Sequence, residues 1–241
     1  MTETTSRRLA SPRQRSNVAK RVSAIILAAG RGTRIGADRN KVLLEIASRP
    51  LLSYALSAFA ACEQIDEIVL VVARSEEEAA STLLSGIDKD VKVVHGGTRR
   101  QDSSYAGVRE AQGEIVLIHD GARPFVTSDL ISRLIETARE HGACVPVLPV
   151  VDTLRQGRVG SPLEPAPMDR SHLLRMQTPQ GFSRRLILDA LSETDFDVTD
   201  DAAALLARGI PVWSVLGEET NIKVTTREDL ILAKMIAASR L

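Results

Sequence analysis

Residues 23–36 read SAIILAAGRGTRIG, and this stretch decides the fold. Ser23 to Ala28 form an uninterrupted apolar run, the pattern of a strand buried on both faces, as in a parallel sheet. Ala28, Ala29, Gly30 and Gly32 follow with little or no side chain. Successive N–H groups in such a turn can converge on an anion, and a ligand can approach the backbone closely. Arg31, Arg34, Arg39 and Lys41 set cations beside it. The carboxyl end of a parallel strand is where open α/β sheets bind ligands, so the turn reads as a phosphate site. The bland alternative is a tight turn that happens to be basic.

Working outward, strand and helix patterns alternate. LLSYALSAFAA after Pro50 predicts a helix, with Pro at a favoured first position. EIVLVVA (67–73) predicts a second strand, and Ser75 a cap for the acidic helix after it. Val91–Val94 predicts a third strand, GGTRRQDSS (96–104) the lead into a helix, and EIVLIH (114–119) a fourth strand. Thr127 or Ser128 caps an amphipathic helix that Gly142 ends. Ala143–Val150 is a further apolar strand. Helices are expected from about Ser183, at DDAAALLAR ended by Gly209, and after the cap Thr226, with strands at PVWSV and NIKVT. The fold class is α/β, a Rossmann-like mostly parallel sheet with helices on both faces. Asp152–Pro167 breaks the rhythm with Gly157, Gly160, Pro162, Pro165 and Pro167, and reads as a projecting β-arm at about 152–170. Residues 1–21 are expected to form a basic, disordered tail, and residues 22–241 a single domain carrying the arm.

Composition narrows the function. Lys and Arg total 31 against 31 Asp and Glu, so no global field draws the chain to nucleic acid or an anionic membrane. A phosphate ligand needs a local cation cluster. Aromatics are 3%, which favours backbone hydrogen bonds over stacking for holding a base. Cys62 and Cys144 suit neither a zinc site nor a disulfide scaffold and read as buried thiols. No run of 18 apolar residues exists to span a membrane, and the N-terminus lacks a secretory pattern. A cytoplasmic protein is expected.

Gly30, Gly32 and Gly36 also approximate a dinucleotide fingerprint, the mark of an NAD-type oxidoreductase. That reading wants an acid about 20 residues on, where Pro50 and Leu51 stand. LAAGRGTR with Lys41 seven residues after Arg34 instead resembles the sugar nucleotidyltransferase signature. GGTRRQDS, HDGARPF, VVDTLR, DR with QTPQGF, VTDDA and NIKVTTREDL narrow the resemblance to the 2-C-methyl-D-erythritol 4-phosphate cytidylyltransferases of the non-mevalonate isoprenoid pathway, over about residues 22–236. The ribitol 5-phosphate cytidylyltransferases share most of these motifs and are the alternative. A catalytically silent nucleotide-binding module is the remoter one.

The implied reaction joins CTP to a polyol phosphate and releases pyrophosphate. The attacking phosphate is already ionised at neutral pH, so no general base is required. The task is to bring anions together and stabilise charge on the α-phosphoryl group. By resemblance Arg34 and Lys41 hold the triphosphate and Lys223 lies near the α-phosphate. Ala28, Ala29, Gly30, Gly32, Gly97, Thr98, Arg100 and Ser103 form the nucleotide site. Asp120, Arg123, Thr153, Arg170, Thr178 and Thr199 serve the polyol phosphate. Asp120 also lies by Mg²⁺ or another divalent cation, which one or two carboxylates can hold. His119 reads as structural, and Asp200 and Asp201 as acids suited to a helix N-terminus. The resemblance also implies a homodimer, the arm completing the partner's site. Two departures stand out. Asn40 replaces the family's usual Pro before Lys41, which predicts a more mobile loop, since Asn lacks a fixed φ. Thr220 stands where an acid is usual, so either a second metal carboxylate is missing or Glu219 substitutes for it.

Overall fold

The computed structural model describes residues 21–30 and 40–240. In chain order, β1 (Val22–Leu27) leads to a 3₁₀ turn (Lys41–Leu43), the hairpin β2 (Glu45–Ile46) and β3 (Arg49–Pro50), then α1 (Leu51–Ala61) and β4 (Glu67–Val72). A second 3₁₀ turn (Arg74–Glu76), α2 (Glu77–Thr82), β5 (Asp90–His95), α3 (Arg100–Glu110) and β6 (Ile115–Asp120) follow. The second half holds α4 (Ser128–His141), β7 (Ala143–Pro149), β8 (Leu174–Met176), β9 (Gln180–Ser183), α5 (Arg184–Ser192), α6 (Asp201–Leu206), β10 (Trp213–Leu216) and α7 (Arg227–Ser239).

The main sheet runs β10-β7-β9-β6-β1-β4-β5, with β8 against β7. All its neighbours are parallel except those of β8 and β9. The uniform apolarity of β1 has its reason in two buried faces. Ala24 and Ile26 join the core beneath Leu52, Leu56 and Phe59 of α1 and Leu130 and Leu134 of α4. Ile25 joins the opposite core with Val108, Ile187 and Leu205 of α3, α5 and α6. Alternate residues serve opposite layers, as a period of two requires. A smaller cluster seats Ala233 and Ala237 of α7 against Ile46, Leu51 and Phe125. Cys62 and Cys144 are buried free thiols.

Several local expectations hold. The Thr127 hydroxyl accepts from Leu130 N at 3.2 Å, Gly142 closes α4 at φ 83°, and Thr226 opens α7 with a capping box. Others need correction. Pro50 is the N-cap of α1 rather than its first residue. Ser75 lies inside a 3₁₀ turn, and the N-cap of α2 is Glu76, whose side chain makes no capping bond. Asn221–Thr225 is irregular rather than a strand. The sequence reading also missed β9, a reversed strand between β6 and β7.

Residues 150–173 form the arm between β7 and β8. It carries no assigned strand, yet its two sides bond across the backbone, Met168 N to Leu154 O at 3.1 Å and Glu164 N to Gln156 O at 3.0 Å. Val151, Val159, Leu163 and Met168 stand exposed along it. The expected basic tail lies outside the described residues but for Arg21.

Candidate functional site

The chain turns from β1 toward β4 and β5, then returns to place β6 on the other side of β1. Such a reversal opens a crevice at the strands' carboxyl ends. Leu27 and Asp120 are register partners there. The crevice is an open cavity of about 210 Å³ lined by Ala28, Ala29, Gly30, Lys41, Gly97, Thr98, Arg100, Ser103, Asp120 and Lys223, among others. Ten of the sequence-predicted residues thus converge from five separate segments. Gly32 and Arg34 lie outside the described residues.

At the centre is a line of alternating charge. Lys223 Nζ lies 2.6 Å from Asp120 Oδ2, and Arg100 Nε donates to Asp120 Oδ1 at 3.1 Å. The same guanidinium reaches Asp201 Oδ2 at 2.8 Å. Burial alone would raise the Asp120 carboxyl, but Arg100, Lys223 and Arg123 outweigh it and hold it well below the usual carboxylate range. Burial would likewise weaken the Arg100 charge, and Asp201 and Asp120 more than offset that, raising it. Arg123 lies beneath and is lowered, by burial first and then by like-charged Arg100. Asp201 stands in the first turn of α6 as the sequence suggested, but its full burial and its pairing with Arg100 were not foreseen. Its one signal was a second acid after Thr199, which a helix N-terminus explains equally well.

Beneath Asp120 a neutral network fixes the strand end. His119 Nε2 lies 2.9 Å from the Arg123 carbonyl, so it carries the proton. Nδ1 is then left to accept from the Thr178 hydroxyl at 3.2 Å. That hydroxyl in turn accepts from Asp120 N at 3.0 Å. Arg123 Nη1 donates to the Asn221 carbonyl at 2.7 Å, and Asn221 Nδ2 to the Thr178 carbonyl at 2.8 Å. Burial pushes His119 down to about 4, so it is neutral at physiological pH. The structural reading of His119 stands. Thr178, expected at the substrate, is buried with its hydroxyl engaged in this network.

The cavity's other wall is built by close approach. A Cβ on Gly96 would meet Ala29 Cβ and Ser103 Oγ, both at 2.6 Å, and one on Gly97 would meet Asp102 Cβ at 2.3 Å. A glycine at 96 lets this loop lie against the turn after β1, and one at 97 lets it lie against the start of α3. Gly97 N donates to Ser103 Oγ at 3.2 Å. The Ala28 N–H is already given to Val71 O at 2.7 Å, and its carbonyl accepts from Asn40 Nδ2 at 2.7 Å. Ala28 can therefore offer a base only the second lone pair of that carbonyl.

Thr153, Arg170 and Thr199 are exposed and do not line the cavity. Thr153 and Arg170 sit on the arm, where Arg170 Nη1 donates to the Val151 carbonyl, and Thr199 precedes α6. Glu219 is held by Arg175 through both carboxylate oxygens at 3.1 Å, and Thr220 Oγ1 accepts from Arg240. Among the described residues no three His, Cys, Asp or Glu side chains converge on a metal position. Asp120 is the one carboxylate among the described lining residues. One carboxylate suits Mg²⁺ when phosphate oxygens and water supply the remaining ligands, so the residues fit an ion that arrives with a nucleotide. Among the described residues no helix is long and apolar enough to cross a membrane.

The family model described as 2-C-methyl-D-erythritol 4-phosphate cytidylyltransferase matches residues 22–239. An enzyme of that description from Alkaliphilus metalliredigens is 41% identical over 232 residues, covering 92% of this chain and 95% of the relative. One from Geobacillus kaustophilus is 42% identical over 224 residues, 90% of this chain and 97% of the relative. Among solved structures, 4-diphosphocytidyl-2C-methyl-D-erythritol synthase from Anaerococcus prevotii superimposes with a TM-score of 0.80 at 31% identity, covering 91% of this chain and 96% of that one. The cytidylyltransferase from Thermus thermophilus gives 0.75 at 32% identity, covering 89% and 98%.

Proposed function

Starting from the chain's membership of the 2-C-methyl-D-erythritol 4-phosphate cytidylyltransferase family, we propose that its crevice performs the transfer with the residues described above, in the following roles. The enzyme is a nucleotidyltransferase of isoprenoid precursor synthesis. A phosphate oxygen of methylerythritol phosphate attacks the α-phosphorus of CTP, the bond to the β-phosphate oxygen breaks, and pyrophosphate leaves with the electron pair. No proton need be removed from the attacking dianion.

The observation that carries these roles is the contact of Lys223 with Asp120 at 2.6 Å inside the crevice. Asp120 keeps the ammonium at the cavity wall until a phosphoryl oxygen competes for it. Arg100 stays behind, tethered by Asp201, and keeps Asp120 compensated when Lys223 turns to the α-phosphate. Lys41 and Arg34 attend the triphosphate, where one fixed donor to developing charge is worth roughly 10²–10³ in kcat. Mg²⁺, bound by the triphosphate and by Asp120, would neutralise phosphate charge. Ala29, Gly30, Gly97 and Thr98 present backbone groups to the cytosine edge, and Ser103 braces their loop. Arg123 serves the polyol phosphate. Thr153, Arg170 and Thr199 serve it from outside the crevice, Thr153 and Arg170 across a homodimer in which one arm reaches its partner's site. The exposed Val159 and Leu163 of the arm suit burial in that interface. We place the enzyme in the cytoplasm.

Pyrophosphate release tests the reading. Cytosine offers an amino donor where uracil offers an acceptor, and each mismatched buried group costs ~1–3 kcal/mol. CTP should therefore exceed UTP roughly 10- to 100-fold in kcat/KM, and methylerythritol phosphate should exceed ribitol 5-phosphate. Equal use of CTP and UTP would remove the base-recognition argument. Faster turnover of ribitol phosphate would reassign the polyol.

A further inference from the structure

Asn40 stands immediately before Lys41, and its side chain uses both donors and an acceptor. It is buried, only 4% exposed. Nδ2 donates to the Ala28 carbonyl at 2.7 Å and to Glu76 Oε2 at 2.7 Å. Oδ1 accepts from Val42 N at 3.3 Å, capping the 3₁₀ turn that begins at Lys41. Its backbone sits at φ −57°, ψ 127°, a φ that proline would also adopt. The loop therefore has a clamp of hydrogen bonds at the place where the sequence predicted loosened backbone.

The clamp joins two working parts of the crevice. Ala28 ends β1 and lines the cavity, as does Lys41. Asn40 ties one to the other through a carbonyl whose own N–H is fixed to β4. Glu76 anchors the far side of the same amide from the turn before α2. We infer that Asn40 is a positioning residue, holding Lys41 in register with the nucleotide floor, and that Glu76 is its outer anchor. The inference rests on the reading of Lys41 as a triphosphate ligand. It assigns no contact of Asn40 with substrate.

Asn40→Asp separates this role from plain turn capping. Aspartate is nearly isosteric and caps such turns as well as asparagine, so the bond from Val42 N survives. Both donors become acceptors, set against the Ala28 carbonyl and the Glu76 carboxylate. The expected result is a 10- to 100-fold loss in kcat/KM for CTP, with KM for methylerythritol phosphate changed less than twofold. Glu76→Gln added to Asn40→Asp restores a donor to one side of the clamp and should recover part of the loss. Calorimetric CTP binding and urea midpoints, measured on the same proteins, assign the loss to the folded state. An Asn40→Asp enzyme with wild-type kcat/KM for CTP overturns the inference. So does a loss wholly explained by the unfolded fraction, or an equal loss that Glu76→Gln fails to relieve. Wild-type turnover with CTP is the control. Its absence would count against the Lys41 role and the assigned reaction, and CTP affinity would still read the effect of Asn40.

Discussion

Acidification should weaken the fold through one imidazole before it reaches the carboxylates. His119 is fully buried, packs edge-on to Phe59 with ring centroids 5.2 Å apart, and is wired as a neutral ring between Arg123 and Thr178. Asp120 and Arg123 are the charged groups facing it. Its folded value is depressed from 6.5 to about 4. The unfolded chain therefore binds a proton that the folded chain refuses between those limits. Stability is complete above about pH 6.5 and falls as pH drops toward 4, at up to about 1.4 kcal/mol per pH unit. The loss is about 1 kcal/mol at pH 5.5 and roughly 2–3 kcal/mol at pH 4.5. Asp120 acts later, since its depressed carboxyl contributes stability above the ordinary carboxylate range that is lost only as pH falls below it. His119→Gln can donate and accept but does not titrate. Urea unfolding of both proteins from pH 7.5 to 4.5 isolates the histidine, because other groups cancel in the difference. The variant should be less stable at neutral pH, and the gap should narrow by roughly 2–3 kcal/mol by pH 4.5. A gap constant with pH would refute the neutral-histidine wiring.

Other perturbations test the rest. Lys223→Ala or Lys41→Ala should lower kcat by about 10²-fold or more with the circular dichroism spectrum retained, and wild-type kcat in either would remove that lysine's role. Mixing inactive Arg170→Ala with inactive Lys41→Ala should restore some activity through a hybrid site, whereas a fully active monomer in sedimentation at assay concentration would defeat the cross-subunit arm. Asp201→Asn breaks a buried pair and should cost roughly 3–5 kcal/mol in urea unfolding; a change below 1 kcal/mol would mean that Asp201 does not anchor Arg100. The β2–β3 turn holds Ala47 and Ser48 at φ 47° and 63°, so Ser48→Gly should stabilise by roughly 1 kcal/mol, and a lowered melting temperature would contradict that strain.

What could be read from the sequence was whatever local chemistry enforces. β1, β4 and β6 were legible because burial on two faces demands unbroken apolar runs, and α4 because its core-facing residues repeat helically between Thr127 and Gly142. β9 was not, since its four residues, Gln180–Ser183, include a glycine and a buried glutamine satisfied by Ala202 N at 3.0 Å. The crevice residues were legible through resemblance and fixed spacing. Asp201 escaped because its partner is 101 positions away in Arg100, and no helix-end pattern announces that distance. The hydrogen bonds of Asn40 were hidden for a similar reason. The loss of proline is visible in one letter, whereas the replacement clamp needs Ala28 and Glu76 brought together by the fold.

The reversed strand β9 gives this sheet a seam. β6 and β7 are separated by a single helix along the chain, and within the sheet they are bridged by β9, whose residues follow the whole arm. The half built on β1, β4, β5 and β6 can assemble from contacts within the first 120 residues. Pairing β9 between β6 and β7 needs residues 150–173 to leave and return, so this step is expected among the slower, non-local parts of folding. The same four residues are then the strand that bonds both halves of the finished sheet. A break there would leave two ribbons of sheet held together by packed helices such as α4, with Asp120 on one and the arm on the other.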